Sequence, residues 1–272
     1  MDAFIGLFGY RFLAYAFLAS LLSGVVCGIV GTYVVSRRLV FLSGGITHAS
    51  FGGIGIAYFL GLNPILGATL FALGSASATE LLAARGRIRE DSAIGIMWSL
   101  GMAIGVVFVY LTPGYAPNMM SFLFGNILTV TASSVVWLAV LAAALLVTLA
   151  VAYRQIVFIA FDRDYASSQR QPVAVVSQVM MLLVAMTIVL SIRAVGIVLL
   201  ISLLTFPAVI ANSLTRSYGR MTIWAVVIAA LSNIVGLWIS YRLDIPAGAT
   251  TIFVLAIVLV AVKLLTLQRK KQ

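Results

Sequence analysis

The chain has 272 residues, of which 63% are hydrophobic and only 9% are charged, and its mean hydropathy is +1.17. A soluble domain carries roughly 25% charged residues because its surface must interact with water, so the composition excludes a water-soluble globule and predicts a chain embedded in lipid. The net charge of +10 does not by itself indicate a nucleic-acid partner, since basic residues in a membrane protein are first a signal of topology.

Nine apolar stretches follow one another along the chain, each long enough to cross about 30 Å of hydrocarbon with roughly 20 residues. Between the fourth and the fifth, the short apolar segment Asn118–Val130 predicts a re-entrant or interfacial helix. Pro207, inside the seventh, predicts a kink or a break. We therefore predict an all-α fold, a polytopic transmembrane helical bundle of about nine spans that forms a single domain over residues 1–272. The predicted spans are residues 13–35, 40–60, 64–84, 93–112, 133–153, 173–192, 196–211, 222–241 and 248–267.

Lys and Arg residues are distributed unevenly between the two sets of alternate connections. One set holds fourteen of the seventeen, and the other holds only Arg11, Arg193 and Arg242. Because basic residues concentrate in cytoplasmic loops, we predict that the N-terminus lies outside and the C-terminus lies in the cytoplasm. The fourteen are Arg37, Arg38, Arg85, Arg87, Arg89, Arg154, Arg163, Arg170, Arg216, Arg220, Lys263, Arg269, Lys270 and Lys271.

His48 is the only histidine in the chain, and it lies inside the second predicted span. This span begins on the predicted cytoplasmic side near Val40, so eight residues at 1.5 Å each place His48 about 12 Å deep, near the middle of the membrane. Neutral imidazole is a good ligand for zinc, manganese or iron, and Ser43, Thr47 and Ser50 are its neighbours in the sequence. The segment indicates either a metal site or a histidine that hydrogen-bonds a neighbouring helix, and the residues alone leave both open.

Other polar and small residues in the spans favour structural roles. Cys27 is the only cysteine, so an internal disulfide is excluded, and its apolar surroundings indicate a buried small residue. Gly24, Gly28 and Gly31 have the spacing that lets two helices touch closely. Three charged residues near span ends are explained as well by snorkelling or ion pairing as by contact with a substrate. They are Glu80, Arg193 and Asp244.

The longest predicted cytoplasmic connection, Arg154–Gln171, is the only one with room for a helix of its own. Within it, a short run combines charged residues with aromatic rings, and Asp162 is placed to cap a short helix whose first turn holds Asp164. Aromatic rings beside charges suit an interface with a soluble partner, and a solvated loop is the alternative. The run consists of Phe161, Asp162, Arg163, Asp164, Tyr165 and Ala166.

Three motifs in this order, together with the predicted topology, resemble the permease subunit of bacterial ABC importers for zinc, manganese and iron(II), the ABC-3 type metal transporter permeases. The first runs from Arg37 through the segment around His48, and the second is the run that ends at Ala166. The third is the Val-Gly-x-x-Leu run that begins at Val195 and leads to Phe-Pro-Ala at Pro207. The resemblance covers nearly the whole chain and implies a type II ABC importer-like fold.

This resemblance implies an assembly in the cytoplasmic (inner) membrane of a bacterium. Two copies of the chain would form the pathway, with ABC ATPase subunits below and an extracytoplasmic metal-binding protein above. The chain itself would not be an enzyme and would bind no permanent cofactor or nucleic acid, only the transported divalent metal ion, and the run Phe161–Ala166 would couple it to the ATPase. The sequence agrees in containing no G-x-x-x-x-G-K-[ST] loop. The residues implied for the pathway are His48, Thr47, Ser43, Ser50 and Pro207.

Two departures from the family pattern matter for the cargo. The aspartate that the family carries three or four residues before the histidine falls on Gly44, or on Gly45 if the register slips. Arg170 stands where the coupling segment normally has a glycine. Without the carboxylate, His48 has only neutral partners, which favours zinc or iron(II) slightly over manganese, an ion that prefers carboxylate oxygens.

Three alternatives to a metal-ion importer remain open from the sequence. A secondary cation transporter usually needs carboxylates within the membrane, and Glu80 alone is a poor substitute. A scaffold without transport activity is the second. An importer of the same family that carries a chelated metal or haem is the third, since the expected aspartate is missing.

Overall fold

The computed structural model describes residues 11–84, 88–113 and 130–269, without the side chains of residues 11–13, 193 and 269. These residues form helices and connections, with no strand among them. The short segment Asn118–Val130 lies outside the described residues except for Val130. The helices are α1 (Arg11–Ser36), α2 (Val40–Phe59), α3 (Pro64–Ala84), α4 (Glu90–Leu111), α5 (Ala132–Phe161), α6 (Arg163–Ser168), α7 (Val173–Leu214), α8 (Tyr218–Leu243) and α9 (Ala247–Arg269).

Within the described part of the chain, nine stretches are long and apolar enough to cross a membrane. Every helix except α6 supplies one, and α7 supplies two, Val173–Ile192 and Ala194–Leu214. This confirms the predicted all-α class and the number of spans. Many large apolar side chains are exposed, among them Val151 (79%) and Phe253 (70%), as expected where lipid replaces water as the solvent.

The structure corrects two features of the predicted elements. No break occurs at Pro207, which is buried inside α7. The interruption of α7 is at Gly196 (φ 77°, ψ 164°), the residue at which the predicted seventh span begins. A positive φ is accessible to glycine at little cost. Helix α5 continues to Phe161, eight residues beyond the predicted end, with its one non-helical residue at Ala152. The connection between α5 and α7 is therefore shorter than predicted.

The described residues divide into two compact units. Unit 1 contains residues 11–35, 130–146 and 190–269, and unit 2 contains residues 36–84, 88–113 and 147–189. The prediction of a single domain over residues 1–272 stays a prediction.

Unit 1 is built around α1, which lies against α7 and α8 through small residues. A Cβ added at Gly24 would come within 2.7 Å of the backbone of Ala230, and one at Gly28 within 2.6 Å of Val226. Gly31 lies as closely against the carbonyl of Leu204. The packing role predicted for these three glycines is therefore confirmed.

Unit 2 is built around α2, which packs against α3 and α4. Gly53 faces Gly67 of α3, and a Cβ on Gly53 would clash with that residue's carbonyl oxygen. Gln178 of α7 donates a hydrogen bond to the hydroxyl of Ser77 on α3 at 2.8 Å. Helix α2, which carries His48, therefore lies against α3 and α4, and α3 is in turn bonded to α7.

Candidate functional site

His48 lies eight residues after the first residue of α2, Val40, so it stands about 12 Å along the helix. Its imidazole is half-buried and stacks on the indole of Trp98 in α4, with ring centroids 4.6 Å apart and an interplanar angle of 6°. The sequence analysis did not find Trp98, because no local pattern links two residues fifty positions apart.

The stack is made possible by a glycine seam between α2 and α4. A Cβ on Gly52 would lie 2.7 Å from the carbonyl oxygen of Gly101, and one on Gly55 would lie 2.6 Å from that of Gly105. Residues three and four positions apart share one face of a helix. The seam therefore lies on the same face of α4 as Trp98 and lets the two large rings meet.

The three hydroxyl residues predicted around His48 are buried, and each hydroxyl donates a hydrogen bond to a backbone carbonyl three or four residues earlier in α2. Ser43 donates to the carbonyl of Val40 at 2.7 Å, Thr47 to that of Ser43 at 2.6 Å, and Ser50 to that of Ile46 at 2.7 Å. Each hydroxyl oxygen keeps lone pairs for a cation. Within the described residues, however, no hydrogen bond brings them to His48.

No cluster of three His, Cys, Asp or Glu side chains able to hold a metal ion occurs in residues 11–84, 88–113 and 130–269. Gly44, which occupies the place of the family aspartate, is buried and supplies no ligand. Pro207 belongs to unit 1, whereas His48 belongs to unit 2. The predicted pathway residues therefore stay a prediction.

The predicted coupling segment crosses the end of α5 at Phe161 and continues into the short helix α6, whose cap is Asp162 as predicted. Asp162 has an extended backbone (φ −150°, ψ 102°), and its carboxylate accepts a hydrogen bond from the backbone N–H of Tyr165 at 2.9 Å. This contact satisfies one of the donors that every helix leaves free at its N-terminus.

Helix α6 has an anchored face and an exposed face. Ala166 is fully buried, and Arg163 is 26% exposed and bound to Glu80. The rings of Phe161 and Tyr165 are 65% and 50% exposed. The structure therefore shows a helix at residues 163–168 and the ion pair considered for Glu80. The role of the segment in coupling stays a prediction.

A cavity of about 480 Å³ opens beside α6 within unit 2. The end of α3, helix α6 and the start of α7 form its walls, with Ala84, Arg163, Ser167 and Pro172 among the lining residues. Both charged and apolar groups line it. The exposed Tyr165 belongs to the helix that forms one of these walls, and its coupling role stays a prediction.

Comparison with known proteins agrees with this architecture. The model of the ABC 3 transport family matches residues 9–266. The chain belongs to the ABC 3 transport family. The family that the motifs predicted is thereby confirmed.

Relatives within this family align over nearly their whole length. An uncharacterised membrane protein of Synechocystis is 37% identical over 257 residues, which cover 94% of this chain and 92% of that protein. The manganese transport system membrane protein MntC of Listeria innocua is 31% identical over 254 residues, which cover 93% of this chain and 90% of that protein. The structure of PsaBC from Streptococcus pneumoniae in complex with a Fab matches with a TM-score of 0.83 and 26% identity, covering 96% of this chain and 95% of that one.

Proposed function

We propose that the chain is the membrane-spanning permease subunit of an ATP-driven importer for a divalent transition metal ion. The family match over residues 9–266 carries this proposal. Relatives named for manganese transport align with more than nine-tenths of the chain, and this supports a metal ion as the cargo. Zinc and iron(II) stay candidates beside manganese, because His48 suits all three ions.

Helix α6 supports the part of the proposal that concerns a separate ATPase subunit. The exposed Tyr165 and Asp164 of α6, with the exposed Phe161 at the end of α5, suit an interface with a soluble subunit. The cavity beside α6 offers space for a side chain of that subunit. The chain itself contains no phosphate-binding loop. ATP hydrolysis would therefore take place on a separate ABC ATPase, with a metal-binding protein on the extracytoplasmic side and a second copy of this chain completing the pathway.

His48 is the residue that we expect to meet the metal ion. It stands about 12 Å along α2, with a half-buried imidazole. Stacking on Trp98 fixes the plane of the His48 imidazole through its face. The two imidazole nitrogen atoms lie at the edge of the ring, so the stack does not cover them. A ligand held in this way needs little further ordering when an ion arrives.

The test is uptake of zinc, manganese or iron(II) into liposomes that contain the chain with its cognate ATPase and binding protein. His48→Ala should reduce uptake to background while the subunits still co-purify. Phe41→Ala, which removes a ring that is 73% exposed on the same helix, is the matched control and should import at the normal rate. Uptake at the normal rate by His48→Ala would remove His48 from the pathway.

The same vesicles discriminate the alternatives. A proton or sodium gradient that drives uptake without ATP would indicate a secondary transporter. ATP-dependent uptake of haem or a chelate, without uptake of the bare ions, would indicate the chelate branch of the family. Co-purification with the ATPase, in the absence of any transport, would favour a scaffold.

A further inference from the structure

Four charged side chains of unit 2 form one cluster where α6 meets α3 and α4. Arg163 of α6 contacts two carboxylates: its Nη2 lies 2.6 Å from Oε1 of Glu80, and its Nη1 lies 3.2 Å from Oε1 of Glu90. Arg37, in the turn after α1, contacts the same oxygen of Glu90. The cluster therefore joins α6, α3, α4 and that turn through a chain of ion pairs.

The cluster is withdrawn from solvent at its two ends. The side chains of Glu80 and Arg37 are 4% and 5% exposed, whereas those of Arg163 and Glu90 are 26% and 32% exposed. Two positive and two negative groups balance each other, which buried charges require. Removing one member leaves a charged side chain of the cluster without a partner, which is costly where that side chain is buried.

Glu90 is the branching point of the cluster, because one of its oxygens accepts from both arginines. It also lies in the first turn of α4, where a negative charge interacts favourably with the helix dipole. A force on α6 therefore reaches the first turn of α4 through Arg163 and Glu90.

Helix α4 leads from this cluster to His48. Trp98 follows Glu90 by eight residues, about 12 Å along the helix, and stacks on His48. The glycine seam brings the backbone of α4 into close contact with the backbone of α2. Packed helices and networks of ion pairs can carry energetic coupling between distant sites.

We propose that Glu90 is a positioning residue that couples α6 to the stack of Trp98 on His48, so that movement of α6 by the ATPase changes the surroundings of His48. This proposal rests on the proposed function for its cargo and its ATPase. The seam, the ion pairs and the ring stack are its structural basis.

The experiment uses the fluorescence of Trp98 in the complex with the cognate ATPase. The other three tryptophans, Trp137, Trp224 and Trp238, are replaced by phenylalanine. Binding of ATP without metal should change the Trp98 emission, because the neighbouring imidazole is displaced. Glu90→Gln should abolish this change and should lower the number of metal ions imported per ATP hydrolysed by about fivefold or more.

Asp91→Asn is the matched control, since it makes the same change of charge at the next residue. Asp91 pairs with the exposed Arg89 and not with the cluster, so both the Trp98 response and the ratio of import to hydrolysis should stay at the wild-type values. A Glu90→Gln complex that keeps the Trp98 response overturns the proposal, whatever its import ratio.

Arg163→Lys decides the question if Glu90→Gln does not assemble. Lysine keeps the charge, but its one nitrogen cannot replace the two that contact Glu80 and Glu90, so the Trp98 response should again be lost, and its retention overturns the proposal. A wild-type complex in which ATP changes the Trp98 emission but no metal is imported would contradict the proposed function. Loss of the emission change in Glu90→Gln would then still support the coupling role of Glu90.

Discussion

Gly101 of α4 has no room for a side chain, because a Cβ there would lie 2.5 Å from the Cα of Ala49 on α2. We expect Gly101→Ala to lower the free energy of unfolding by about 1–3 kcal/mol, since the two backbones must separate. Thermal unfolding in detergent, followed by circular dichroism, measures the effect.

Gly95 of the same helix is the matched control for Gly101. No atom lies within 4 Å of a Cβ built there. Because alanine favours a helix over glycine by up to about 1 kcal/mol, Gly95→Ala should unfold at the wild-type temperature or above it. Equal destabilisation by the two substitutions would contradict the seam as the cause.

Single residues also show where prediction from the sequence ends. The depth of His48 along α2 follows from the start of the helix alone, and the structure gives the same start at Val40. Its stacking partner depends on the register of α4 against α2, which no local pattern encodes. The same holds for Glu80 and Arg163, which are 83 positions apart. The sequence indicated only that Glu80 is a charge in need of a partner or of solvent.

At the scale of elements, α6 depends on its N-terminal cap. A helix of six residues is marginal by itself, and an N-cap contributes typically about 1 kcal/mol. Asp162→Ala should therefore weaken α6 and lower metal import per ATP hydrolysed in reconstituted vesicles.

Asp162→Ser separates the cap from the charge, because a serine hydroxyl also accepts a hydrogen bond from the helix N-terminus. This variant should couple hydrolysis to import as the wild-type chain does. If it couples as poorly as Asp162→Ala, the carboxylate matters through its charge, for example by contact with the ATPase, and the capping explanation fails.

The first and last residues of a helix could be predicted where the length of the apolar stretch determines them. They could be predicted less well where tertiary contacts determine them. The predicted spans 64–84 and 173–192 have the limits that the structure gives. The end of α5 was placed too early because Arg154 reads as a loop residue, although the helix continues through it to Phe161. Pro207 predicted a kink or break within the seventh span, yet the positive φ occurs at Gly196, where that span begins. A proline inside a membrane helix is tolerated when neighbouring groups satisfy the freed carbonyl.

At the scale of the whole molecule, hydropathy gave the number of spans, and the charge bias gave the predicted orientation. These signals are additive over many residues, so errors at single positions do not change them. The identity of the cargo is different, because it depends on a few ligands. One substitution, glycine in place of the family aspartate at Gly44, is enough to make the prediction ambiguous.

The predicted orientation can be tested by labelling introduced cysteines in right-side-out vesicles. The native Cys27 is fully buried, so the unmodified chain should not react with a membrane-impermeant maleimide. Leu62→Cys, in the exposed connection between α2 and α3, should react from the outside. Ser217→Cys, in the connection between α7 and α8, should react only after permeabilisation, because that connection carries Arg216 and lies on the predicted cytoplasmic side. The reverse pattern would place the N-terminus inside, and α6 could then no longer meet a cytoplasmic ATPase.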